Sequence, residues 1–337
     1  MHSSTIFLTN TDALTLEQLM ELLTQKHDDQ TVVKLMRKYC LKSTSNDIQK
    51  KGMEFLYING FYEDLAILIQ KNKESASASN RNWAEVYDSM MDRKQKKCAP
   101  YQVIQRVQKI KSTEPELQCL IEFAKVTSYY DMNEYNKLGN FLEIQQQLFE
   151  SIEDRLLISY FNIRLHQTLF FYYLSRNELI IARKYAYRAL NETGNIRTKI
   201  GLHINLGLSY TFETYFQGMY HLSEALNLAK KENLLNAIKA IEQNNIPFLS
   251  AHFREVDNIS STDKSEQAHI EIAKGNYTEA IKILNEIPLD SPYKLYYMGK
   301  AKQDKNLLLK SYNYFIEKRS DYFFSRLPLN EIKRLPV

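Results

Sequence analysis

Glycine and proline are scarce in this chain, with 9 Gly and 7 Pro among 337 residues. An average protein carries roughly 7% and 5% of these residues. Tight hairpins and phosphate-cradling turns rely on glycine, whereas helix interiors disfavour both residues. The shortage argues against a β-sandwich, a doubly wound nucleotide-binding fold, and a collagenous or disordered chain. Cysteine is also rare. Cys40, Cys98 and Cys119 are scattered and odd in number, so they suggest neither a disulfide framework nor a zinc site, and a reducing cytoplasm is expected.

Long apolar runs are missing too. The longest candidate, around Leu169 to Leu174, ends at Ser175-Arg176, far short of the roughly 18 residues that a membrane span needs. The opening Met1-His2-Ser3-Ser4-Thr5-Ile6 has no basic patch leading into an apolar stretch, and so no secretory signal. Charge of one sign is absent: 44 Lys+Arg face 40 Asp+Glu, a net +4. That balance does not argue for nucleic acid without a clustered basic face. What is abundant is aromatic, 23 Tyr and 16 Phe against the single Trp83. With 44% hydrophobic and 25% charged residues, an all-α soluble protein is the economical reading.

Helices are expected from Leu16 to Lys26, capped by Asp12 or Thr15, then from about Asp29 to Leu41, Asn46 to Ile58 and Tyr62 to Lys71. Lys73 to Arg81, with Ser75-Ala76-Ser77-Ala78-Ser79-Asn80, reads as the clearest loop. Helix then follows helix with short connectors, which prompts a search for repeats. Glu266 to Pro288 resembles a tetratricopeptide repeat (TPR), with Gly275-Asn276-Tyr277 at the turn and Ala280 packed against the first helix. Asn205 to Tyr210 with Gly218 and Ala225, Ala182 with Ala189, Gly60 to Asp64, and Tyr296 to Gly299 look like weaker copies. Small residues suit points where paired helices approach closely, and Tyr210 and Tyr220 are expected to fill gaps between neighbouring pairs. The expected architecture is an all-α, right-handed α-solenoid of TPR-like helix pairs. A short polar segment, 1–14, precedes one solenoid over 15–337, with divergent repeats in 15–165 and more regular ones in 166–337.

Catalytic and metal signatures are lacking. There is no phosphate-binding glycine loop, no His-Glu-x-x-His helix and no Gly-x-Ser-x-Gly elbow. The seven histidines show no ligand spacing and read as ordinary surface or groove residues. Cys98 follows a basic run that can lower a thiol pKa, though the end of a solvated charged helix explains it as well. No enzyme, cofactor or metal is expected. Arg93, Lys94, Lys96 and Lys97, with Arg106, Lys109 and Lys111 beyond them, form the best nucleic-acid candidate. Asp88, Asp92, Glu114 and Glu116 flank that stretch, so a solvated helix face is the default.

Several separated blocks then agree in order with one family. Ala182-Arg183-Lys184-Tyr185, Arg188-Ala189-Leu190, Asn195-Ile196-Arg197, Glu266-Gln267-Ala268-His269, Tyr296-Tyr297-Met298-Gly299 and above all Ser320 to Leu329 resemble the arbitrium receptor (AimR) family. The resemblance implies an intracellular TPR-like receptor of phages of bacilli, which binds a short re-imported peptide and sets the lysis–lysogeny choice. Family members carry an N-terminal helix-turn-helix unit, and this chain begins just after where that unit would end. They also continue into a C-terminal dimer segment, whereas this chain stops at Val337. A monomer or weak dimer acting through a protein partner is therefore expected.

The resemblance also implies a peptide site. It maps a peptide-contacting arginine onto Arg197 and an aspartate onto Asp321, and Glu266 lies in a matching block. Where the family holds the peptide backbone with asparagines, Phe171, Ser175 and Leu208 stand here, with Asn205 a partial substitute. An acid and a base can clamp the two ends of a short peptide. The alternatives are a DNA-binding regulator using the Arg93 to Lys111 region, or an interaction scaffold with no ligand.

Overall fold

The computed structural model describes residues 14–335. They form the all-α, TPR-type solenoid class, and no strand occurs among the described residues. The residues fall into two compact units. One runs through Met132 and includes Lys137–Thr168; the other comprises Asn133–Asn136 and Leu169 onward.

The first unit contains α1 (Leu16–Thr24), α2 (Asp29–Lys42), α3 (Asn46–Ile58), α4 (Tyr62–Lys73), α5 (Ala78–Lys94), α6 (Pro100–Val107), α7 (Pro115–Asp131) and α8 (Leu138–Glu150). It also takes the first part of α9 (Arg155–Ser175). Thr15 caps α1 through a reciprocal bond with Gln18; the other expected cap, Asp12, lies outside the described residues. The serine-rich stretch is shorter as a loop than expected. Ser77 accepts from the Asn80 N–H and starts α5 at Ala78, so polar residues that read as loop are a helix N-terminus. Asn80 then turns inward, donating to Asn46 O at 2.9 Å and Asn72 Oδ1 at 2.7 Å.

At the centre of this unit a charge pair is buried. Arg164 Nε and Nη2 donate to Glu54 Oε1 and Oε2 at 2.8 and 2.5 Å, with side-chain exposures of 7% and 0%. Tyr87 donates to the same carboxylate. The bidentate geometry and the third donor offset much of the cost of drying two charges.

The second unit holds α10 (Leu179–Glu192), α11 (Ile196–Ser209), α12 (Tyr215–Lys231), α13 (Leu235–Ala240), α14 (Ile246–Phe253), α15 (Lys264–Lys274), α16 (Tyr277–Asn285), α17 (Pro292–Lys302), α18 (Lys305–Asn313) and α19 (Arg326–Ile332). The strongest repeat appears as α15 and α16, joined at Gly275 in the left-handed region at φ 87°, with Ala280 fully buried. In the preceding pair α11 and α12 meet so closely that a Cβ on Gly207 would lie 2.9 Å from the Gly218 carbonyl. Tyr210 is buried as expected, but Tyr220 is 57% exposed. Its neighbour His221 takes the inner position between the pairs and is itself buried.

Two helices carry an extra residue in a wide π turn. Ile241–Asn245 separates α13 from α14, and Tyr314–Lys318 follows α18. Such turns break the 3.6-residue rhythm and often mark functional sites. Both lead into the same aromatic interior.

Candidate functional site

That interior is built from α14, α15, α17 and the segment after α18. Phe248 on α14 sits among His269 (5.7 Å between ring centroids), Tyr293 (5.9 Å) and Phe324 (6.0 Å). His269 stacks on Tyr297 at 4.3 Å. Asp263 caps α15 by accepting from the Ser265 and Glu266 N–H groups, which fixes Glu266 and His269 one turn apart on the inner face.

The polar groups in this setting are poorly matched. Glu266 Oε1 accepts from the Tyr297 hydroxyl at 3.2 Å, while Oε2 has no hydrogen-bond partner among the described residues. The closest base, His269 Nδ1, is 3.7 Å away, beyond hydrogen-bond range. Neither ring nitrogen of the fully buried His269 is partnered, nor is Nδ1 of His252. Burial pushes the Glu266 carboxyl up to about 8. It holds His269 well below the ordinary imidazole value and lowers His252 to about 4. Asp321, 3% exposed, is pushed up to about 7 by burial, although it accepts from the Phe324 N–H at 2.9 Å. These are acids inclined to hold protons and neutral imidazoles. Buried groups of this kind normally find a partner, so this interior carries hydrogen-bonding capacity that the described residues leave unmet.

The residues implied by the resemblance separate into two groups. Glu266 and Asp321 lie in this interior, Leu208 packs against the cluster around Phe248, and Phe171 packs against the one around Phe323. The Ser175 carbonyl accepts from the Tyr322 and Phe323 N–H groups at 2.7 and 3.2 Å, tying the end of α9 to the Asp321 segment. Arg197 is exposed at the start of α11, just after the Asn195 cap, and no ion pair joins it to Asp321 among the described residues. Asn205 donates to Gly201 O on its own helix at 2.8 Å.

Histidine behaves differently from the sequence reading. His269 and His221 are buried rather than surface or groove residues. His221 Nδ1 meets His203 Nδ1 at 3.1 Å, and its Nε2 meets the Tyr187 hydroxyl at 3.0 Å. The only sequence signal for the missed His269 is its place one helical turn after Glu266. Burial foremost raises the Cys98 thiol, so the activated-thiol reading is set aside. In the basic stretch, Arg93 pairs with Asp131 and Arg106 with Asp92, while Lys94 lies over the Tyr62 ring at 4.4 Å. Lys96, Lys97, Lys109 and Lys111 are exposed and outside any ion pair among the described residues.

Comparisons with known proteins agree with this architecture. A family model described as AimR transcriptional regulator-like matches residues 32–334. The AimR transcriptional regulator of Bacillus phage SPbeta is 22% identical over 89% of this chain and 80% of its own length. An uncharacterized protein of Bacillus anthracis is 28% identical over 65% of this chain and 85% of its own. A solved structure, "Structure of phAimR-Ligand", superposes with a TM-score of 0.77 and 21% identity, covering 96% of this chain and 98% of that one. Among the described residues, no helix is long and apolar enough to cross a membrane.

Proposed function

The chain belongs to the AimR transcriptional regulator-like family, and from that premise we propose that it is a cytoplasmic, peptide-responsive regulator of phage lysis and lysogeny. The observation that carries the reading is the Glu266 carboxyl, buried with one oxygen unpartnered beside an unpartnered His269. A short peptide is rich in the donors and acceptors that such an interior lacks. Its side chains gain from contact with Phe248, Tyr293 and Tyr297, while its polar groups satisfy Glu266, His269 and Asp321. The ligand-bound relative supports this reading by its description. No catalytic group is invoked: binding energy is used to favour one arrangement of the helices over another, and a protein partner reads the result.

The test is calorimetric titration with short peptides drawn from small open reading frames beside the gene. Binding should weaken in Glu266→Ala and Asp321→Ala by about 1–3 kcal/mol each, the range for a lost contact to a buried polar group. Failure of every such peptide to bind would move the protein to the ligand-free scaffold reading.

A second reading, direct DNA binding, is favoured by the four exposed, unpaired lysines Lys96, Lys97, Lys109 and Lys111. If they meet phosphates, changing all four to Gln should weaken DNA retention and flatten its salt dependence by roughly one charge each. Unchanged retention would exclude this face.

A further inference from the structure

Arg319 has no role in the account so far, and its surroundings are unusual. It directly follows the π turn Tyr314–Lys318, and Ser320 after it adopts φ 52°. A non-glycine residue enters that left-handed region only at a cost that its surroundings must cover. The corner is pinned on both sides. The Ser320 N–H donates to Ile316 O at 3.0 Å, the Asp321 N–H to Phe315 O at 2.9 Å, and the Tyr322 N–H to Ser175 O at 2.7 Å. Arg319 thus projects from a fixed position.

Its guanidinium lies 5.9 Å from the Tyr293 ring centroid and 5.7 Å from that of Tyr314, yet it forms no hydrogen bond or ion pair with a described residue. Among the described residues, every other arginine that is not exposed has such a partner. Arg37, Arg93, Arg106, Arg164 and Arg183 bind carboxylates, and Arg326 binds Asn177. Asp321, the neighbouring acid, feels the guanidinium through space but forms no ion pair with it among the described residues. Five N–H donors in a rigid fork, set between two aromatic rings, match a planar anion.

We propose that Arg319 is a carboxylate anchor of the peptide site and takes the ligand's free α-carboxylate. The inference rests on the peptide-receptor reading above. Every unmodified peptide supplies this group whatever its sequence, while Glu266, in electrostatic reach of the same Tyr293, offers an acceptor for a donor elsewhere on the ligand. Arg319 then sets which end of the peptide enters, and the aromatic residues around Phe248 read its side chains.

The experiment uses a pool of short random-sequence peptides made in two forms, free acid and C-terminal carboxamide. Each form is passed over the immobilised full chain, over Arg319→Gln and over Arg197→Gln, and retained peptides are quantified by mass spectrometry. The wild-type protein should retain the free acids about ten- to a hundredfold better than the amides, and Arg319→Gln should lose that preference. Thermal melting of Arg319→Gln should fall only slightly, because its guanidinium has two ring contacts but no hydrogen bond to lose. Equal retention of both forms by the wild type overturns the inference while leaving the receptor reading in place. So does a preference that survives in Arg319→Gln and vanishes in Arg197→Gln. Retention of neither form by the wild type removes the receptor reading itself, and the inference with it.

Discussion

Replacing Glu266 with Gln should make the protein more stable in alkali and leave it little changed in acid. In the unfolded chain this carboxyl titrates near its ordinary value of 4.5, whereas burial in the fold raises it to about 8. The native state therefore binds the proton more tightly, the reverse of a salt-bridged acid. The contribution of this group is fully present below about 4.5 and is lost as pH rises through 8. At about 1.4 kcal/mol per tenfold change, the interval corresponds to a loss of roughly 4 kcal/mol between pH 5 and pH 9. Asp321, raised from 3.8 to about 7, adds a loss of the same sign over a lower window. Gln keeps the shape and cannot ionise, so it removes the Glu266 contribution.

The assay is urea unfolding at pH 5, 7 and 9, followed by far-UV circular dichroism. Fluorescence of Trp83, which lies in the other compact unit, reports on that unit separately. Between pH 5 and pH 7 the depressed imidazoles of His252 and His269 act with the opposite sign, so the wild type should weaken from pH 7 to pH 9, where they are largely neutral folded or unfolded. Glu266→Gln should show a visibly flatter profile over that range, crossing above the wild type by pH 9. The reasoning fails if Glu266→Gln loses the same stability at every pH. It fails equally if the wild type gains stability between pH 7 and pH 9.

Two other perturbations follow from packing. Arg164→Met strands the buried Glu54 carboxylate and should cost about 3–5 kcal/mol, while the joint change with Glu54→Leu should recover much of it; urea unfolding followed by Trp83 fluorescence measures both. Gly207→Ala drives a Cβ to 2.9 Å from the Gly218 carbonyl, whereas Gly201→Ala meets nothing within 4 Å. The first should lower the melting point by an amount equivalent to about 1–3 kcal/mol, and the second should raise stability by up to about 1 kcal/mol.

Much of the helical outline was legible in the sequence because local signals and packing agree. α3 starts and ends where the apolar period predicts, and Gly275 breaks the α15–α16 pair with the one residue that accepts a left-handed turn without strain. The errors arise where one residue type serves two purposes. Ser77 reads as loop when it is a cap, and Tyr220 reads as filler when His221 occupies the gap. The candidate site was less accessible. Resemblance points to Glu266 and Asp321, but no spacing reveals that both are buried, or that Glu266 sits beside the unpartnered His269. That outcome depends on Phe248, Tyr293 and Tyr297, contributed by helices far apart in the chain. Arg319 carries no sequence signal at all, since what distinguishes it is a partner it lacks.

The two π turns also affect how relatives should be compared. A wide turn absorbs one extra residue while the helix on either side keeps its face. Removing a single residue from Ile241–Asn245 should restore the ordinary rhythm and leave Phe248 and His252 on the same interior. Inside a regular helix the same deletion has no such outlet and rotates everything beyond it by about 100°. A one-residue gap at either π turn is therefore neutral in an alignment of relatives, whereas the same gap within α15 or α17 exchanges the side chains that face this interior.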